Sequence, residues 1–356
     1  MLIVDAHEDL AWNIQTFGRD YTRSAADIRQ REAGTPTPSQ NGNTLLGRED
    51  WLAGRIAVIF ATLFASPVRK RLGEWDVQFY SNQEDAYRIA NRQIDAYDAL
   101  ADNHPQFRRI LSQSDLAEVL QTWDDGTELE EHQIGLVTLM EGADAIREPE
   151  EVEAWHERGV RIVGPAWVST RYAGGTHEPG PLTTDGRRLL AAMSRLGMIL
   201  DLSHLAEEAY YQAIESYEGV MIASHSNPRR FLPTDRGLSD EMIRLLAERQ
   251  GVVGIVPFNT FMKPGWKKGD PREAVTLGDI ASAIDHVCQI AGSAGHVGLG
   301  TDFDGGFGVE SAPAGIDTIA DLPQLEPFLR EKGYNDEEIA GIFAGNWLRA
   351  LRAGLP

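Results

Sequence analysis

Five short segments, DAHED (5–9), MEGAD (140–144), DLSH (201–204), ASHS (223–226) and GTDFDGG (300–306), each place a histidine or an acid directly after an apolar run. His7 and Asp9 are two residues apart, so on an extended chain both point to the same side and can chelate one ion. With Glu141, His204, His225 and Asp302 they supply three imidazoles and three carboxylates and no thiolate. Nitrogen and oxygen donors of this kind suit Zn²⁺, Mn²⁺ or Co²⁺. A mononuclear zinc site uses about three protein ligands plus water, so six groups point to a two-metal centre with a shared carboxylate. Charge agrees: two divalent ions are neutralised by Asp9, Glu141, Asp302 and a bridging hydroxide, whereas without metal the three carboxylates would repel or take up protons.

Each of these residues has a plainer reading when taken alone. A strand-end histidine can be a satisfied structural group, Asp5, Asp9 and Asp302 can be turn or cap residues, and Glu141 can start a helix. The plainer readings do not explain why all six groups fall at the carboxyl ends of the predicted strands. The other histidines (104, 132, 156, 177, 286 and 296) sit in helical or loop contexts and are given no role, with a reservation for His177.

The elements that must position these groups follow from periodicity. Eight apolar or β-branched runs read as strands: 2–6, 55–64, 134–140, 160–166, 197–203, 219–224, 251–258 and 296–301. Between most of them lie helix-like stretches such as 81–103, 184–197, 205–217, 239–250 and 276–292, and 336–353 reads as a closing helix. Strand and helix in alternation eight times is the pattern of an α/β (β/α)8 TIM barrel, and 1–356 is expected to be a single domain of that kind. Such a barrel needs roughly 250 residues, so about a hundred are left over. They fall in 13–50, 65–80, 259–275 and 303–322, after strands, and are expected to be long insertions on the catalytic face.

Composition narrows the partners. A formal charge of −21 argues against nucleic acid and anionic membrane, both of which demand basic patches. No run approaches the roughly 18 apolar residues of a membrane span. The opening MLIVDAH reads as a first strand rather than a signal peptide, and a single cysteine, Cys288, excludes an intrachain disulfide framework, so a cytoplasmic protein is expected.

The same segments, taken in order, resemble peptidase family M19, the membrane (renal) dipeptidases, among the amidohydrolase-like barrels. The resemblance is carried by Asp5, His7 and Asp9, by Glu141-Gly142, DLSH, SHS, DRGLSD (235–240), GLGTDFDG (298–305) and GNWLRAL (345–351), and so spans nearly the whole chain. It implies a dipeptidase with two divalent ions, Zn²⁺ being the expected one, that accepts a D-residue on the carboxyl side of a dipeptide. His7 and Asp9 would hold one ion, His204 and His225 the other, and Glu141 would bridge them. Asp302 would pass a proton from a metal-bridged attacking water to the leaving amine, and Arg236 would grip the substrate's terminal carboxylate. A homodimer is left open. Two other readings keep the fold but change the chemistry: a related hydrolase of another amide, ester or lactone, and a small-molecule-binding barrel that has lost turnover. Asp302 argues against the last, since a binder has no use for a proton carrier.

Two positions depart from the family pattern. Trp167, in GPAWVSTRYAGG, stands where the family has a histidine that stabilises the oxyanion, and IFATLFAS (59–66) replaces the family's pocket-shaping segment. An indole cannot carry positive charge, so Trp167 is expected to be a pocket wall while Arg171 or Tyr172, or less favourably His177, reaches back to the oxyanion.

Overall fold

A computed structural model describes residues 1–124 and 126–356. Eight parallel strands form the frame: β1 (Ile3–Glu8), β2 (Ile56–Phe64), β3 (Ile134–Glu141), β4 (Val160–Gly164), β5 (Ile199–Asp201), β6 (Met221–Ile222), β7 (Val253–Ile255) and β8 (Val297–Leu299). Their spatial order is β6-β5-β4-β3-β2-β1-β8-β7, and a parallel bridge between Ala223 and Val253 joins the two ends. This is the (β/α)8 barrel that the alternation predicts. The strands read as unbroken apolar runs because both their faces are covered, and every residue of β1, β2 and β3 is buried.

The helices match their sequence signals. Gln83–Asn103 begins at Asn82, whose side chain accepts from the Asp85 N–H, and buries Ile89, Ile94, Tyr97 and Leu100 along one stripe. Ser239 caps Asp240–Glu248 and Thr276 opens a capping box for Leu277–Ala291. The closing stretch is two helices, Asp336–Ala340 and Asn346–Gly354, run together through a wide turn at Gly341–Gly345. It is pinned to β8, where the Trp347 indole donates to the Leu299 carbonyl at 3.0 Å and the Asn346 amide to Val297 at 2.8 Å.

Several elements have no counterpart in the sequence reading, among them the helix Gln113–Gln121, a two-stranded parallel pair of Ser66–Pro67 with Phe79–Tyr80, and two features next to the barrel. A short strand, Phe107–Arg109, pairs with the start of β3 beside the point where β4 takes over. After β4, Ala173–Gly175 and Glu178–Leu182 form an antiparallel hairpin. Strands β5 and β6 are also shorter than their apolar runs, because the residues that follow turn inward to the site.

The insertions lie at the carboxyl ends of the strands, and the one spanning 13–50 is a folded unit with its own polar core. Asp304 accepts from the Leu45 N–H (2.9 Å), Tyr21 Oη (2.7 Å) and Thr44 Oγ1, and its carboxylate lies 2.9 Å from Arg19 Nη1. The Asp304 carbonyl accepts from the Asn13 and Asn41 amides at 3.0 and 2.9 Å. All these groups are buried apart from backbone edges, so Asp304 is the knot that ties the insertion to the end of β8. No helix among the described residues is long and apolar enough to cross a membrane.

Replacing Asp304 by Ala strips a buried arginine of one partner and orphans three donors, a loss of about 3 kcal/mol. The expected outcome is a thermal unfolding midpoint lowered by several degrees. An unchanged midpoint would show that the knot contributes nothing.

Candidate active site

The strand ends converge on the Glu141 carboxylate. Its Oε1 lies 3.1 Å from His204 Nε2 and 3.2 Å from His225 Nε2, and its Oε2 lies 3.6 Å from His7 Nε2. His7 Nε2 is 4.0 Å from Asp9 Oδ1 and 3.9 Å from Asp302 Oδ1. Two triads, His7-Glu141-His225 and His7-Asp9-Asp302, bring their ligand atoms within 4.8 Å of one another. All six of the metal ligands and proton carriers named from sequence therefore meet at one place.

The local backbone explains how. His204 and Asp302 have φ of 66° and 56°, the left-handed region that non-glycine residues rarely enter, so the chain turns sharply after the strand and swings each side chain inward. Close approach of the strands helps: a Cβ on Gly254 or on Gly300 would lie 1.8 Å from the Ser224 carbonyl, so both positions must be glycine for His225 to be carried this far in.

The histidines are held in a ligating state. Ser224 Oγ donates to Asp201 Oδ2 at 2.5 Å and lies 2.8 Å from His225 Nδ1. Its one proton being spent on Asp201, the hydroxyl must accept from Nδ1–H, which leaves a lone pair on His225 Nε2. Thr176 Oγ1 lies 2.9 Å from His204 Nδ1 and so also holds that ring. Both His7 nitrogens are buried without a partner. The 3.6–4.0 Å gaps around its Nε2 are too long for hydrogen bonds. Zinc–ligand bonds are about 2.0–2.2 Å, so gaps of this size suit donors that share an ion. The donor set thus fits divalent cations.

The electrostatics point the same way. Burial works against a charge on His7, yet Glu141, Asp9 and Asp302 raise its pKa to about 10, so the three acids create at His7 Nε2 a field that favours positive charge there, which a divalent cation also supplies. Burial, reinforced by Glu141, lifts Asp9 to about 6, and burial lifts Asp302 well above the usual carboxylate range. Burial and then the Arg236 guanidinium bring His204 down to about 4, a neutral ring ready to ligate, and His225 is lowered likewise by burial and by His7.

A cavity of about 590 Å³ opens above these groups, lined by Asp9, Glu141, His204 and Asp302 at its base and by Trp12, Phe64, Trp167, Phe258, Phe261, Phe307 and Arg236 around its walls. Arg236 is buried, donating to Ser226 Oγ (2.8 Å) and to the His225 carbonyl while its Nε has no partner. Trp167 is in the wall, edge-on to Phe64 at 5.0 Å. The expectation for Arg171 and Tyr172 is corrected. Arg171 is turned away to Asp185 Oδ2 (2.6 Å) and the Arg147 carbonyl, and Tyr172 is fully buried with its hydroxyl on the Ile146 carbonyl, so neither lines the cavity. His177 does line it, at the rim, where its Nδ1 lies 3.1 Å from Asp235 Oδ1.

Sequence reading missed the role of the residues that hold these donors in place. Asp5 accepts from the Thr301 N–H (2.7 Å) and Oγ1 (2.5 Å), clamping β1 to the turn that carries Asp302, and Asp201 accepts from the Ser224 N–H (2.9 Å), clamping β5 to the turn that carries His225. Thr62 Oγ1 donates to Asp9 Oδ1. The signal was present: each Asp precedes its strand's histidine by two or three residues, the same side of the chain or one step beyond it.

A family model described as membrane dipeptidase (peptidase family M19) matches residues 1–354. The chain belongs to peptidase family M19. As an M19 protein it is a metal-dependent hydrolase acting on dipeptides. Among relatives of this M19 chain, dipeptidase aclJ of Aspergillus oryzae is 26% identical over 80% of the chain and 68% of its own length. An uncharacterized protein in the pqqA 5′ region of Klebsiella pneumoniae is 30% identical over 63% and 83%. The fold matches solved structures: a dipeptidase AC of family M19 (TM-score 0.77, 24% identity, 100% and 99% covered) and a metallo peptidase from Rhodobacter sphaeroides liganded with a phosphinate mimic of L-Ala-D-Ala (0.77, 23%, 99% of each). A probable dipeptidase, PvdM of Pseudomonas aeruginosa, superposes with a TM-score of 0.80 at 19% identity over 100% and 96%.

Because the Ser224 hydroxyl fixes the His225 tautomer, Ser224→Ala should weaken metal binding about 10- to 100-fold. Competition against a chromophoric chelator reads this directly, and wild-type affinity in the variant would refute the assignment.

Proposed function

We propose that this M19 chain is a binuclear zinc dipeptidase that accepts a D-residue on the carboxyl side of the scissile bond. The observation that carries the reading is the Glu141 carboxylate, one oxygen of which faces His204 and His225 and the other His7. A carboxylate presenting opposite oxygens to two sets of donors is suited to bridge two ions, with Asp9 completing the His7 side. When bound, the ions lower the pKa of a water and polarise the scissile carbonyl.

The chain's own residues do the rest. Arg236, buried and with an unpartnered Nε, receives the substrate's terminal carboxylate through its planar fork. That contact sets the dipeptide's reach, so that the peptide bond lies over Glu141 and Asp302. Asp302 takes the proton of the attacking water and returns it to the amine that leaves. Trp167 closes the wall beside His204, at 6.2 Å between ring centroids, and keeps bulk water from the reacting carbonyl. The Rhodobacter sphaeroides complex with a mimic of L-Ala-D-Ala supports a D-residue on the carboxyl side. Residues 1–356 act as one catalytic domain, and the one cysteine, Cys288, being buried, suits a reducing compartment such as the cytoplasm.

Elemental analysis of the purified protein should find about two divalent ions per chain, and chelation should abolish dipeptide hydrolysis until metal is returned. A ceiling of one ion, the same in Glu141→Ala, would refute the binuclear centre.

Arg236→Ala should reduce kcat/KM for a dipeptide by roughly 30-fold or more while affecting the corresponding dipeptide amide far less, because only the first loses a buried charged pair. Equal losses on both would make Arg236 structural.

A further inference from the structure

The cavity has two aromatic walls of different character. On one side Phe258 stacks on Phe307 at 4.3 Å and meets Phe261 edge-on at 5.0 Å, with the Arg236 guanidinium 5.8 Å from the Phe261 ring. On the other, Phe64 meets Trp167 at 5.0 Å and Trp12 at 6.4 Å. Among the described residues no ring pair joins the two walls. Since Arg236 belongs to the first, the carboxylate-bearing half of the substrate rests there, and the acyl half faces Trp12, Phe64 and Trp167.

That second wall is preformed. The Gln93 side chain clasps the Phe64 backbone, accepting from its N–H at 2.9 Å and donating to its carbonyl at 2.6 Å, and the Thr176 N–H donates to the Trp167 carbonyl at 3.0 Å. The ring side chains of this wall offer no hydrogen-bond acceptor, since phenylalanine has no polar atom and an indole N–H only donates, and the neutral oxygens nearest it are already engaged, the Trp167 carbonyl by the Thr176 N–H and the Phe64 carbonyl by Gln93. A dipeptide's α-ammonium is itself only a donor. Among the described residues, the acids lining the cavity are Asp9, Glu141 and Asp302, all committed to metal or proton transfer in the reading above. At the rim, Glu178 is held by Arg69 at 2.7 Å, and Asp235 by His177.

We infer that the preferred substrates are amides joining a bulky apolar acyl group to an amino acid with a free carboxylate, the α-ammonium of a dipeptide being dispensable. The inference rests on the proposed function and deepens it. The step is the same hydrolysis: the C–N bond breaks, the water's hydroxyl joins the acyl carbon and its proton goes to the amine.

The test compares kcat/KM of the metal-loaded protein on Gly-Ala, Phe-Ala and 3-phenylpropanoyl-alanine, which is Phe-Ala without its amino group, each with L- and D-alanine. Burial of the phenyl ring should favour Phe-Ala over Gly-Ala by roughly 10- to 100-fold. The desamino compound should stay within about tenfold of Phe-Ala, a smaller loss than an anchored charge would cause. Trp167→Ala should lower the Phe/Gly ratio and Phe258→Ala, on the other wall, should not. A ratio at or below unity, or a desamino loss beyond tenfold, would overturn the inference, the latter showing that the ring faces bind the ammonium. Hydrolysis of none of the compounds would instead bring down the dipeptidase reading itself.

Discussion

Three carboxylates and three imidazoles packed together, four of them buried and His204 and Asp302 nearly so, form an arrangement that cannot stand uncompensated, and the rest of the structure is organised around that constraint. At about 4 Å and an effective dielectric near 20, two like charges repel by roughly 4 kcal/mol. Asp9, Glu141 and Asp302 meet this cost in part through His7, which sits within 3.6–4.0 Å of all three and is pushed toward its protonated form. Divalent cations discharge the same field more completely. Around that core the hydroxyls of Thr62, Thr176 and Ser224 and the carboxylates of Asp5 and Asp201 orient the ligands.

The barrel makes such a concentration of charge affordable by confining it to one end. Its interior and its helical jacket are largely apolar, and the six convergent donors lie where the strands stop. There the left-handed backbone of His204 and Asp302 converts strand ends into inward-pointing donors at some conformational cost, which the neighbouring hydrogen bonds overdetermine.

Much of this was legible in the residues. Continuous apolar runs mark strands covered on both faces, and all eight were found from them, as were the six convergent donors, because a histidine or acid directly after such a run has few other places to go. The accessory strand Phe107–Arg109 and the hairpin after β4 were not. Three residues, or a hairpin whose arms read AGG and EPGPL, carry no period long enough to register. Arg171 and Tyr172 failed for a different reason: proximity in sequence to Trp167 says nothing about direction, and the partners that turn them away, Asp185 and Ile146, come from other elements. Asp5 and Asp201 were visible but ambiguous, since an aspartate at a strand end serves equally as a turn residue until its acceptor bonds are seen.

One turn joins two parts of the molecule that would otherwise be independent. Asp302 faces His7 and the other convergent donors, and two residues on, beyond the buried Phe303, Asp304 holds the 13–50 insertion, both aspartates with positive φ. That insertion therefore is no exchangeable cassette: a lineage that swapped it to reshape the cavity mouth would also loosen the turn that carries Asp302. The rim formed by residues 68–70 and the hairpin 173–182 is freer. There partly exposed pairs join Arg69 to Glu178 and His177 to Asp235, and these can be rewritten with little consequence for the buried donors, provided Thr176, which meets His204 at 2.9 Å, is kept. Diversification of specificity in this scaffold should accordingly run along one lip of the barrel and spare the other.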